Sequence, residues 1–382
     1  MNAKALFESA IQDLERGFRV RGETRMRQAA EAGHGLAQLT LAKWLASTMG
    51  PEAIRDRDVL AWIEKAEGND VLEAPFFRSV LRYIVGERKE ACDDLNRAAI
   101  AGHPPAQTAL ALAWFEHGNE EARQNGRAWM EKAAARGEKL AKTLRRTGWQ
   151  DAEAEVGRHA EPLISWASTN KALDWKRLST TPSIKYCDNV FSPLESAWLR
   201  LNARPKLKPS LIVDPVTRQA RPNPIRTSTG MNFGLPPTDV FVARLTERVA
   251  AYAGLSLSNA EPLAVLRYCP GQQYKAHRDA LGGEALSNDA LGASGDRSVT
   301  ALVYLNSPKS GGMTVFPLLD LAVQARMGRL LVFQNTDNNG KPEQKSVHIG
   351  APVSAGTKWL ASLWLRERHI TDSFAPRQQP GR

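Results

Sequence analysis

The apolar positions along this chain change their rhythm once. From residue 1 to about 148, alanine and leucine recur at helical spacing between charged positions. From about residue 180, short β-branched runs alternate with Pro, Gly, Asn and Asp. The first texture predicts amphipathic helices and the second predicts strands. Candidate strands are "SLIVD" (210–214), "AVLRY" (264–268), "VTALVYL" (299–305), "MTVFP" (313–317), "RLLVFQN" (329–335), "SVHIGAPV" (346–353) and "KWLASLWLR" (358–366). Many short strands with turn signals between them predict a barrel or jelly roll. A helix is expected after Ser192, with Glu195 completing a capping box. Residues 281–296, "LGGEALSNDALGASGD", read as a mobile loop.

The helical part repeats. "AAEAGHGLAQLTLAKWL" begins at Ala29 and "AAIAGHPPAQTALALAWF" at Ala98, with a shorter copy from Lys132 and a worn one from Trp62. Gly33, Gly68, Gly102 and Gly137 lie 35, 34 and 35 residues apart, each where a helix should end. A period in the mid-thirties marks a solenoid of helical hairpins. The phrase AAxAGHxxAQ resembles Sel1-like repeats, relatives of the tetratricopeptide repeat, and implies a surface for a protein partner or a buttress for the second domain. His34 and His103 occupy matching repeat positions and read as capping or packing residues.

The predicted organisation is a multidomain α and β chain. Residues 1–148 form an α-helical Sel1/TPR-like solenoid, 149–182 a linker and lead-in packed down by Trp166 and Trp175, 183–370 a β domain, and 371–382 a flexible tail.

Composition narrows the class. The chain has 382 residues, 42% apolar and 24% charged, and no apolar run of membrane-spanning length. No secretory signal is evident at the N-terminus and three scattered cysteines suggest no disulfide framework, so a cytoplasmic protein without membrane contact is expected. The net charge of +10 favours anionic partners, and residues 200–226 carry seven basic residues against Asp214 alone.

Candidate chemistry gathers in the β part. In "YKAHRDALGG", His277 and Asp279 stand two apart, so on a strand both face one point while Arg278 faces outward. "SVHIG" supplies His348. Two histidines and one carboxylate fit a facial triad for Fe(II), or zinc with a bound water. Lys358 follows His348 by ten residues, and the turn "SAGT" between them predicts a β-hairpin that sets the two side by side. A lysine at a buried position needs an anionic partner, such as the free carboxylate of a metal-chelating dicarboxylate.

Residues 184–368 resemble the Fe(II)- and 2-oxoglutarate-dependent dioxygenases of the prolyl 4-hydroxylase type. The resemblance rests on "RTSTG" (226–230), "YCPGQQYKAHRD" (268–279), "RSVTALVYLN" (297–306), "GGMTVFP" (311–317) and "NGKPEQKSVHIGAPVSAGTKW" (339–359). It implies a double-stranded β-helix (jelly-roll) fold and Fe(II) held by His277, Asp279 and His348 as the catalytic centre. It implies 2-oxoglutarate bound by Tyr268, Thr300, Lys358 and Trp364, O2 as second co-substrate, and ascorbate to rescue oxidised iron. A proline in a protein or peptide is the implied substrate, with Arg226, Ser228 and Tyr274 at its site. Met313 departs from the glutamate usual after the GG pair. Two other readings are ranked below this one. One is a nucleic-acid or small-molecule oxygenase, suggested by the basic stretch, although nucleic-acid oxygenases of this kind use an arginine where Lys358 stands. The other is a repeat scaffold with a non-catalytic oxygenase domain.

Overall fold

The computed structural model describes residues 2–116, 119–146, 173–213, 220–222, 224–234, 236–237 and 239–370. The expected tail, Trp166 and most of the expected linker lie outside these residues. The chain divides into two compact units, Met1–Ser168 with Leu235–Ala243 and Thr169–Gly234 with Arg244–Arg382.

In the first unit, helices run in chain order as α1 (Ala3–Glu15), α2 (Arg19–Glu31), α3 (Gly35–Met49), α4 (Arg57–Gly68), α5 (Glu73–Ile84), α6 (Arg88–Ala101), α7 (Pro104–Glu116), α8 (Glu120–Ala135) and α9 (Lys139–Arg146). The repeated phrase builds the same joint twice. Between α2 and α3, the Nδ1 of His34 accepts from the Ala37 amide at 3.3 Å, and Gln38 Nε2 donates to the Ala30 carbonyl at 3.0 Å. Between α6 and α7, His103 accepts from Ala106 at 3.4 Å and Gln107 donates to Ala99 at 3.0 Å. Each imidazole also packs on an aromatic ring, Phe7 or Phe76, at 4.2 and 4.8 Å between centroids. These histidines cap and pack.

Three of the four repeat glycines, Gly33, Gly102 and Gly137, hold φ of 91°, 100° and 99°. In the worn copy Gly68 ends α4 and the left-handed residue is Asp70, φ 56°. Aspartate tolerates that conformation better than most residues do. Buried alanines, including Ala29, Ala30, Ala98 and Ala99, let paired helices approach closely. Arg78 and Asp94 form a buried two-pronged ion pair at 2.9 and 2.7 Å. Among the described residues, no helix is long and apolar enough to cross a membrane.

The second unit is built on strands β1 (Lys176–Thr180), β2 (Ser183–Cys187), β3 (Lys208–Pro209), β4 (Leu211–Val213), β5 (Ala220–Pro222), β6 (Thr229–Asn232), β7 (Ala264–Tyr268), β8 (Tyr274–His277), β9 (Arg297–Tyr304), β10 (Ser310–Gly311), β11 (Thr314–Phe316), β12 (Leu321–Val323), β13 (Leu330–Gln334), β14 (His348–Gly350), β15 (Val353–Ala355) and β16 (Lys358–Arg366). Helix α10 (Pro193–Ala203) carries the expected Ser192–Glu195 capping box; α11 spans Val240–Tyr252 and α12 spans Gly283–Ser287. An eight-stranded sheet runs β1-β2-β13-β9-β16-β7-β6-β3, and a four-stranded sheet runs β12-β11-β14-β8. Every pairing in both is antiparallel. Leu266, Leu302, Tyr304 and Leu360 from the larger sheet meet Phe316 and Val323 from the smaller one in a shared core. This is the jelly-roll arrangement, with a cavity between the sheets. Trp175 packs under Lys185, whose Nζ lies 4.2 Å from the ring.

Two expectations are corrected. His348 and Lys358 do not sit side by side on one hairpin. "SVHIGAPV" breaks into β14 and β15, which pair with different partners, and β16 enters the opposite sheet. Gly350, Pro352 and Gly356 interrupt the run, so the chain crosses between sheets instead of folding back. The stretch 281–296, read as loop, carries α12 and is anchored near both ends. Asp296, 1% exposed, accepts from the Leu281 and Gly282 amides at 2.8 and 2.9 Å. Buried Arg366 donates to Asp289 at 2.8 Å and to the Gly295 carbonyl at 2.9 Å.

Candidate metal centre and co-substrate cavity

His277 ends β8 and His348 begins β14, and the two are direct partners across the strands. Asp279 lies two residues beyond His277, past the strand end. One donor atom from each of the three lies within 4.8 Å of the others. The Nε2 atoms of His277 and His348 stand 3.7 Å from the two carboxylate oxygens of Asp279.

Backbone carbonyls set the tautomers. His277 Nδ1 is 2.8 Å from the Lys275 carbonyl and His348 Nδ1 is 3.0 Å from that of Ser346. A carbonyl only accepts, so each Nδ1 carries the proton and each Nε2 offers a lone pair to the cluster. Burial first, and His348 beside it, push His277 down to about 4, so it is unprotonated near neutrality. Burial works against the charge of Asp279, but His348, His277, the Thr300 hydroxyl and Arg297 outweigh it and hold the carboxyl at about 2. Two imidazole nitrogens and one carboxylate therefore converge on one point, and the donor set fits Fe(II).

A cleft opens beside the cluster. Its far wall is the larger sheet, where Lys358 lies directly opposite Tyr268. Lys358 is 2% exposed, its Nζ lies 5.3 Å from the Tyr268 ring and 5.4 Å from the Tyr304 ring, and no carboxylate pairs with it among the described residues. Burial alone pushes its ammonium down to about 7. Gly312, φ 73°, passes close beneath it, and a Cβ there would meet Lys358 Cδ at 3.2 Å. That contact explains the second glycine of the GG pair. Met313 is half-buried and its carbonyl accepts from the Ala351 amide at 2.9 Å.

Of the expected co-substrate residues, Tyr268, Lys358 and Trp364 line the cleft. Arg297 covers the Trp364 ring at 4.1 Å. Thr300 is placed behind Asp279 instead: its Oγ1 lies 2.8 Å from Asp279 Oδ2 and 2.7 Å from Asn335 Nδ2. The sequence reading missed Tyr304, whose hydroxyl donates to Thr314 at 2.7 Å, and Thr314 itself, which lines the cleft. Alternation along β9 carried the signal, since Thr300, Leu302 and Tyr304 share one face.

Arg226, Ser228 and Tyr274 also come together. Arg226 bridges to Tyr274, with its Cζ 4.9 Å from that ring, and Tyr274 stacks on His277 at 3.4 Å. Ser228 is buried and shares a 2.9 Å hydroxyl contact with Ser210. Arg226 Nε is buried with no hydrogen-bond partner among the described residues. Arg278 points outward, exposed, as expected.

Comparison with known proteins agrees with this geometry. The profile of the 2OG-Fe(II) oxygenase superfamily matches residues 263–366. Prolyl 4-hydroxylase 1 of Arabidopsis thaliana is 30% identical over 205 residues, covering 50% of this chain and 71% of that protein. A putative prolyl 4-hydroxylase of Acanthamoeba polyphaga mimivirus is 32% identical over 186 residues, covering 48% and 74%. A crystal structure of viral collagen prolyl hydroxylase from Paramecium bursaria Chlorella virus-1, in its 2OG complex, aligns at 25% identity with a TM-score of 0.38, covering 48% of this chain and 94% of that one. The chain therefore belongs to the prolyl 4-hydroxylase-like family of the 2OG-Fe(II) oxygenase superfamily and is a 2-oxoglutarate-dependent dioxygenase.

Proposed function

We propose that this dioxygenase hydroxylates a prolyl residue in a protein or peptide. The observation that carries the reading is the likeness to proteins named prolyl 4-hydroxylase across half the chain, in a fold that brings the His277–Asp279–His348 cluster and Lys358 to one cleft. Fe(II), which His277, Asp279 and His348 would hold, would supply the oxidising power: of the two atoms of O2, one would enter an unactivated C–H as hydroxyl and the other the co-substrate, which would leave as succinate and CO2.

The residues of the chain do the rest. His277 and His348 present Nε2 lone pairs because their Nδ1 protons are held by carbonyls. Asp279 supplies the one negative ligand, leaving net positive charge for an anionic co-substrate. Lys358 takes the remote carboxylate of 2-oxoglutarate in a charge-assisted bond that its burial strengthens. Tyr268 and Trp364 wall the same space. Arg226, Ser228 and Tyr274 receive the peptide, with the Arg226 guanidinium over the Tyr274 ring at the cleft wall.

Ascorbate is the proposed reductant for iron oxidised without substrate turnover. The helical repeats, assigned to residues 1–148, are proposed to hold a protein partner and the domain of residues 183–370 to act on it, in the cytoplasm. Mass spectrometry tests the substrate. A gain of one oxygen on a proline-bearing peptide, dependent on both Fe(II) and 2-oxoglutarate, is expected. Steady succinate production with no oxygen gained by any proline peptide would sink the prolyl assignment.

A further inference from the structure

Thr300 and Asn335 stand outside the set of groups that touch the metal or the co-substrate, yet both are fully buried and hydrogen-bonded toward Asp279. The inference drawn from them rests on the metal reading above. We propose that Asn335 and Thr300 form a two-link relay that orients the Asp279 carboxylate for metal binding, with Asn335 acting only through Thr300.

Donor and acceptor chemistry fixes the direction of each link. Asp279 is ionised and can only accept, so in the 2.8 Å contact the Thr300 hydroxyl must donate. Its single proton is then committed, and the hydroxyl can meet Asn335 only as an acceptor. The Asn335 amide must turn Nδ2, not Oδ1, toward it at 2.7 Å. The opposite amide orientation would leave the Thr300 oxygen between two acceptors with one proton to share. The orientation has a visible cost, because Asn335 Oδ1 is buried without a hydrogen-bond partner among the described residues. A buried amide left with an orphan oxygen indicates that the Thr300 link dictates its pose.

The frame around the relay is stiff. Thr300 lies in β9 between Phe333 of β13 and Trp364 of β16. Asn335 is held through its backbone, its amide donating to the Ser298 carbonyl at 2.8 Å and its carbonyl accepting from the Glu343 amide at 2.8 Å. Asp279 itself sits beyond the end of β8, where no strand ladder fixes its torsion angles. The relay supplies that restraint and engages Oδ2, while Oδ1 accepts no hydrogen bond among the described residues. Groups that orient a ligand in this way raise metal affinity by roughly 10- to 100-fold.

The test measures Mn(II) binding to the full chain without co-substrate, by the electron paramagnetic resonance signal of free Mn(II). Thr300→Val, which removes only the hydroxyl, is expected to weaken Mn(II) binding by about 10- to 100-fold, and Asn335→Ala by roughly tenfold. Thr300→Ser restores the hydroxyl and should bind as the native chain does. Asn335→Ala placed in the Thr300→Val background should cost nothing further, since its only route is gone. Once saturated with Mn(II), the variants should bind 2-oxoglutarate like the native chain, which a residue walling the co-substrate would not allow. Native affinity in Thr300→Val, or losses that add in the double variant, would overturn the relay. If Thr300→Val does not fold, Asn335→Ala decides alone, and native Mn(II) affinity there overturns the proposal. If His277→Ala binds Mn(II) as tightly as the native chain, the metal reading beneath this inference is what fails.

Discussion

Lys358 stands directly across from Tyr268 between β16 and β7, with its Nζ 5.3 Å from the tyrosine ring, and no carboxylate in the described structure answers its charge. Burial holds its pKa near 7. A bound carboxylate restores the ammonium, so binding 2-oxoglutarate above pH 7 requires proton uptake. The KM for 2-oxoglutarate should be flat below about pH 7 and rise above it, and calorimetry in two buffers should detect the uptake. Lys358→Met should raise that KM by roughly 100-fold, the loss of a charge-assisted bond of about 2–3 kcal/mol. The same variant should melt at a higher temperature than the native chain at neutral pH. The folded native chain pays for an uncompensated ammonium, a cost that grows as pH falls from 10.5 toward about 7.

Removing metal or any ligand should stop co-substrate turnover. Chelation with EDTA should abolish succinate formation and Fe(II) should restore it. His277→Ala, Asp279→Asn and His348→Ala should each lower turnover by at least 100-fold while far-UV circular dichroism stays native. Turnover surviving in His348→Ala would show that His348 is no ligand.

Glu261 holds two guanidinium groups at once, Arg366 at 2.5 Å and Arg297 at 2.8 and 2.9 Å, and Arg366 is wholly buried. Glu261→Ala leaves both charges without that partner and should destabilise the jelly-roll unit by about 3–5 kcal/mol. Urea unfolding followed by tryptophan fluorescence measures this; a loss below 1 kcal/mol would contradict the network's role. Because Arg297 covers Trp364, the KM for 2-oxoglutarate should rise as well.

Acid should loosen the repeats through His103. Burial lowers His103 to about 4, against 6.5 in the unfolded chain. The unfolded state therefore binds the extra proton first. His103 leaves stability intact above about pH 6.5 and erodes it as pH falls to 4, by on the order of 3 kcal/mol in all. His103→Gln should flatten that limb of the unfolding curve measured between pH 4 and 7.

Much of this was legible in the chain itself. Helices and strands show different apolar periods, so the change of texture near residue 180 separated the two architectures. The AGHxxAQ phrase encodes one joint completely, since cap, carbonyl ligand and turn glycine all act within nine residues, and local geometry repeats when local sequence does. The spacing of His277 and Asp279 sets a metal site because a strand end turns them toward one point. Tertiary structure decided what depends on residues far apart. His348 and Lys358 are ten residues apart, yet β14 and β16 lie in opposite sheets, since strand partners are chosen by the core and not by the nearest turn. Tyr304, Thr314, Asn335 and the Arg366 network gained their roles the same way. Their hydrogen bonds join strands that the sequence lists separately, and direction and burial exist only once the sheets have closed on each other.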